Sequence, residues 1–280
     1  MLDSLTRLLR RRLPALSDSR LMEGWARDRG ETLKHARNGR GSVVEYRCHG
    51  YAARLEWGPS QRDYIRHREL RVRVELGLPV ALEMLVMSRH LAEALEAQAY
   101  DQLTRDQQTE IDASMPEEAR WLAMFEPVQL ADAADFNRGF VVLAASPTHA
   151  RRWTTGDLAS CLSRARASWL PAEVPFVLMT LRGRLYLRTE VRALDHNLLD
   201  GISQLVGIAA GRALRVASRA PRANDGSETG IAAMCQPGAE SGLHPMLVED
   251  PGMSAEEVIS QFDEQMLTSF GVETATDVKV

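Results

Sequence analysis

Phe176 to Leu181 and Arg184 to Val191 are two largely apolar runs separated only by Arg182-Gly183. A two-residue loop with glycine second joins adjacent antiparallel strands, so this stretch predicts a hairpin and commits the fold to antiparallel sheet. A second hairpin is predicted from Ser42 to Cys48 and Tyr51 to Trp57, which alternate apolar and polar residues around His49-Gly50 and are closed by Gly58-Pro59. Glu69 to Leu76 also alternates. Leu70, Val72, Val74 and Leu76 fall on one face and Arg71, Arg73 and Glu75 on the other, the pattern of a half-solvated antiparallel strand. Ala81 to Met87 and Phe140 to Ala145 read as buried strands.

Helical periodicity is expected over Arg20 to Ala36, His90 to Tyr100, Thr155 to Trp169 and Asp195 to Ser218, and Pro116 marks a further helix start. Asp195 is the expected N-cap of the last of these, ahead of a solvated His196. Gly207 and Gly211 within it are spaced for close packing. Strands cluster around hairpins instead of alternating with helices, which disfavours a parallel doubly wound sheet. The fold class is therefore α+β: antiparallel sheet built from hairpins, with helices packed on one face. The expected organisation is an N-terminal helical segment (1–36), an α+β core (37–219), a flexible linker (220–253) and a C-terminal amphipathic helix (254–271). The core carries two sheet-bearing halves, 37–100 and 136–218, compatible with a diverged duplication, although no residue-level repeat accompanies them.

Charge is banded along the chain. Residues 1–73 hold 17 Lys/Arg against 9 Asp/Glu, 74–135 hold 3 against 13, 136–222 hold 13 against 5, and 223–280 hold 1 against 11. The net charge of −4 thus conceals two basic and two acidic blocks that complement each other within the molecule or across an interface. At the N-terminus Leu2, Leu5, Leu8, Leu9, Leu13 and Leu16 recur at helical spacing among Arg7, Arg10, Arg11 and Arg12. This short basic amphipathic helix suits either docking on the protein's own core, the favoured reading, or weak peripheral contact of residues 2–13 with an anionic membrane. The same arginines occupy the place of a secretory h-region, and no uninterrupted apolar run is long enough to span a bilayer. Three widely spaced cysteines, Cys48, Cys161 and Cys235, point to a reducing compartment, so a cytoplasmic location is expected.

Chemistry-bearing motifs are sparse. Cys48-His49 and the scattered histidines do not reproduce the spacing of a zinc site, there is no Gly-x-Ser-x-Gly elbow, and Gly39-Arg40-Gly41 precedes a strand where a phosphate cradle needs a helix. No catalytic residue, metal or cofactor is expected, and a non-enzymatic protein is favoured over an enzyme whose site is too dispersed to recognise. Two binding features remain. Arg71, Arg73, Arg184, Tyr186 and Arg188 form a candidate basic strand face on which nucleic acid would track phosphates or stack a base. The second feature lies near the C-terminus. Ser254-Ala255-Glu256-Glu257 is a capping box and Gly271 a helix stop. Between them Val258, Ile259, Phe262, Met266 and Phe270 make one apolar stripe on an otherwise acidic helix. Such a helix is marginal alone in water, so it needs a groove, on its own core or on a protein partner.

Overall fold

In the computed structural model the described residues are 18–35, 41–104, 116–131 and 133–219. The N-terminal amphipathic segment, the linker and the C-terminal helix of the sequence reading lie outside them. The described elements run α1 (18–28), β1 (Thr32–His35), β2 (Ser42–Cys48), β3 (Tyr51–Pro59), β4 (Arg68–Val74), β5 (Met84–Ser88), α2 (Arg89–Thr104) and α3 (Glu117–Met124). They continue with α4 (Ala134–Gly139), β6 (Phe140–Ala144), α5 (Pro147–Thr154), α6 (Asp157–Ser168), β7 (Phe176–Leu181), β8 (Arg184–Val191) and α7 (His196–Arg219). The fold is α+β: eight strands form one sheet in the order β1-β2-β3-β4-β8-β7-β5-β6, with every neighbouring pair antiparallel.

Both predicted hairpins form, and their turns explain the glycines. His49 and Gly50 have φ of 51° and 82°, and Arg182 and Gly183 have 49° and 80°, the left-handed pair that a tight two-residue hairpin loop requires. The two halves do not make separate sheets. β4 pairs with β8, and β5 lies between β7 and β6, so strands of residues 37–100 interleave with those of 136–218.

One sheet face presents Val44, Leu55, Trp57, Leu70, Val72, Leu178, Leu185 and Leu187 to the main core. The helices α1, α5, α6 and α7 cover it through Trp25, Trp153, Leu162 and Leu205, all but inaccessible. Arg212 of α7 fixes α5 by donating to the carbonyls of Trp153 (2.6 Å) and Arg152 at its C-terminal end. Asp195 caps α7 as expected, accepting from the Leu198 amide at 2.8 Å, and His196 is exposed. On the opposite face, Leu85, Met87, Val141, Leu143, Val177 and Met179 are also apolar and buried, because α2 and α3 pack there against β5 and β6. Helices therefore lie on both faces at the β5–β6 end, beyond the single covered face expected from sequence. Six residues that alternate outward on three neighbouring strands would otherwise be wet.

Two sequence expectations change in the N-terminal half. The helix expected over Arg20 to Ala36 ends at residue 28, where Gly30 adopts φ of 72° and the Arg29, Gly30 and Glu31 amides turn back onto the Ala26 and Arg27 carbonyls. Residues 32–35 then become the edge strand β1 by pairing with β2. The strand expected from Ala81 starts at Met84, after a turn closed by Leu82 N–H donating to Pro79 at 2.9 Å. α4 and α5 are additional. Ser146, whose hydroxyl accepts from the His149 amide, and Pro147 at the first turn are the start signal of α5.

Candidate functional site

Strand register builds a charge lattice on the outer face of β1 to β8. Directly opposite on that face stand Glu56 and Arg71 across β3–β4, and Arg71 and Arg188 across β4–β8. Two facing arginines would repel, and Glu69 separates them. Its carboxylate accepts from Arg188 at 2.7 Å through one oxygen and from Arg71 at 3.3 Å through the other. Arg71 also donates to Glu56 at 2.8 Å, and Glu56 pairs with Arg54. Toward the hairpin ends, Glu75 joins Arg73 at 2.9 Å to Arg184 at 2.7 Å.

The lattice is roofed by the 60–66 loop and α3. Gln61 N–H donates to Glu69 at 2.8 Å, and the Tyr64 hydroxyl donates to Glu118 of α3 at 2.9 Å. Arg62 stands 3.6 Å from the same carboxylate. Glu69 and Glu118 are fully inaccessible and Arg188 is 1% exposed. Burial, reinforced by Glu118, holds the Tyr64 hydroxyl well above its ordinary range, and burial together with Arg62 lowers Arg188. Charges locked in fixed, water-poor pairs serve to position strands.

This corrects the sequence reading of the basic face. Arg71, Arg73, Arg184, Tyr186 and Arg188 do share one sheet face, but its centre is not solvated: Arg71 is 8%, Tyr186 3% and Arg188 1% exposed, while Arg73 and Arg184 toward the hairpin ends are half-buried. The cover comes from residues 60–66 and α3, which strand alternation cannot reveal. Val258, Ile259, Phe262, Met266 and Phe270 lie outside the described residues.

A second feature opens beside α7. A cleft of about 950 Å³ lies between the C-terminal half of α6, the 169–174 loop, the end of β8 and the first turns of α7. Cys161, Ala165, Val191 and Leu198 give it a buried apolar floor. Trp169 forms a wall, seated on Gly201 so closely that a methyl group there would meet the indole nitrogen at 2.2 Å. The charged lining comprises Glu173, Glu190, Asp195 and Asp200 against Arg164 and Arg192. Its volume is that of a binding site, and its floor and rim suit an amphipathic occupant. Sequence reasoning missed it, since its walls come from two segments, 161–174 and 189–204, that only folding of the intervening hairpin brings face to face.

Cys48 and Cys161 are free and buried, and burial pushes both thiols up. Among the described residues no group of three or more His, Cys, Asp and Glu side chains is placed to hold a metal ion, and no helix is long and apolar enough to cross a membrane. No family model, curated protein or solved structure matches the chain.

Proposed function

We propose that this protein is a non-enzymatic binding component of a larger assembly, with the helix of residues 254–271 as its docking element for a protein partner. The observation that favours protein over nucleic acid is the pairing of the candidate basic face. Arg71, Arg73, Arg184 and Arg188 each meet a carboxylate of the same chain, so the cations that would release counterions from a phosphate backbone are engaged internally. The sequence feature left without an internal explanation is the stripe of Val258, Ile259, Phe262, Met266 and Phe270 on an acidic helix. Helices of this kind bind by laying an apolar face into a groove. A linker of residues 220–253 would give it an r.m.s. reach of about 30 Å.

The test compares the tagged full chain with the Phe262→Asp, Phe270→Asp variant, purified from the native host. The reading expects one partner to be recovered with the full chain, lost with the variant, and to bind a synthetic 250–280 peptide directly, while both proteins melt at the same temperature. A variant that melts several degrees lower, or retains the partner, overturns it. Binding of a labelled oligonucleotide that weakens steeply with salt would favour the nucleic-acid reading instead.

A further inference from the structure

We infer that the cleft between α6 and α7 is the seat of the chain's own N-terminal segment, residues 2–16, whose leucines lie on its floor. The first support is where the described chain begins. Asp18 accepts the backbone N–H of Leu194, and Leu194 stands between Ala193 and Asp195, both on the cleft wall. From there α1 runs along the same side, with Trp25 donating to Asp200 at 2.8 Å and Arg29 paired with that carboxylate. The described chain therefore begins beside the cleft rim. Leu13 lies five residues before Asp18, a span of at most about 18 Å, which keeps the leucine stripe within reach of the floor.

Chemistry supplies the second support. The floor of Ala165, Val191 and Leu198 and the Trp169 wall match the leucine stripe in chemistry, while Glu173, Asp195 and Asp200 at the rim are opposite in charge to Arg7 and Arg10 to Arg12. Counting every acidic and basic residue in the lining, the cleft carries four acids against two arginines, with Asp200 also paired to Arg29 and Glu190 to His67, and the segment carries four arginines against Asp3. The signs are opposite. An amphipathic helix covering an apolar floor with its cations toward an acidic rim gains burial and charge complementarity together. This contact is independent of the docking proposed for residues 254–271.

Photo-crosslinking in the full chain tests it. p-Benzoylphenylalanine replaces Leu5, Leu9 or, as the control, Arg7, which stands opposite the leucines on a helical projection. After irradiation at high dilution, with and without phosphatidylglycerol vesicles, adducts are mapped by mass spectrometry. Leu5 and Leu9 labels are expected to give intramolecular adducts within residues 161–174 and 189–204, several-fold above the Arg7 label and unchanged by vesicles. Charge reversal at the exposed rim, Glu173→Arg, is expected to lower that yield several-fold without changing the melting temperature. Adducts elsewhere in the chain, on a second copy or on lipid, equal labelling from Arg7, or no adducts at all overturn the inference.

Discussion

Three glycines in α7 look alike in the sequence and differ in what surrounds them. Gly207 has nothing within 4 Å of where a Cβ would sit, and its carbonyl, which a substitution leaves in place, is 2.8 Å from His49 Nε2. Gly207→Ala should therefore stabilise the protein by about 0.5–1 kcal/mol, the helix-propensity gain. A Cβ added at Gly211 would meet the His49 ring at 3.1 Å, and one added at Gly201 would overlap the Trp169 indole. Gly201→Ala must displace that ring and should cost about 1–3 kcal/mol, which thermal melts would read as opposite shifts for positions 201 and 207. Glu190 makes a pH prediction. Burial alone would raise its pKa, but the His67 ring at 2.9 Å and the Arg66 and His67 amides more than offset this and lower it. A carboxylate depressed by folding contributes stability that is complete above its unfolded value, about 4.3, and lost as the pH falls through its folded value. Glu190→Gln should accordingly melt below wild type at neutral pH, with the gap closing in acid. A gap independent of pH would show that the carboxylate's charge is not what holds the 66–67 backbone.

At the scale of elements, the β4–β8 contact is where charge and register are joined. Removing Arg188 takes from the buried Glu69 its closest cation and leaves it only Arg71 at 3.3 Å and the Gln61 amide at 2.8 Å, so Arg188→Ala should cost about 3–5 kcal/mol. Arg184, about one-third exposed, should cost under about 1 kcal/mol when replaced by alanine. Urea melts of the two variants measure the contrast, and equal losses would mean that burial of Arg188 is not decisive. How far these elements were legible depends on whether their cause is local. The β7–β8 hairpin is written in adjacent residues, since two strand runs and an Arg-Gly turn carry all the information, and its ends are reproduced to the residue. β1 is not. It is a four-residue, polar, exposed strand that exists because β2 offers it an edge. The alternation of β4 correctly separated Leu70, Val72 and Val74 from Arg71 and Arg73, but whether a face is wet depends on what lies above it. For Arg71 and Arg188 the cover is the 60–66 loop and Glu118, brought together only by the tertiary fold. The cleft escaped sequence reasoning for the same reason.

For the whole molecule, the interleaved sheet makes a prediction about its two sequence halves. Residues 37–100 contain β2 to β5, yet β4 has β8 as a neighbour and both neighbours of β5, β7 and β6, come from residues 136–218. Cut apart, the first half keeps only the β2-β3-β4 meander, and β5 has no partner within it. The core face of that meander would expose Val44, Leu55, Trp57, Leu70 and Val72, which the intact protein covers with α1 and α7. The second half keeps β7–β8 and α7 but loses β5, the strand that joins β6 to β7. Neither half closes a core, so neither should fold alone, whatever their likeness in element order. Residues 18–219 should instead unfold as one cooperative unit, since most of the sheet's pairings cannot be lost piecemeal without exposing the same core. Amide dispersion in NMR spectra of the separate 37–100 and 136–218 fragments, and coincidence of tryptophan fluorescence and circular dichroism in urea melts of the full chain, measure the two expectations. Native-like dispersion in the isolated 37–100 fragment would overturn the reading. It would mean that the first half carries a complete core and that its pairing with β8 is an association of two independent domains.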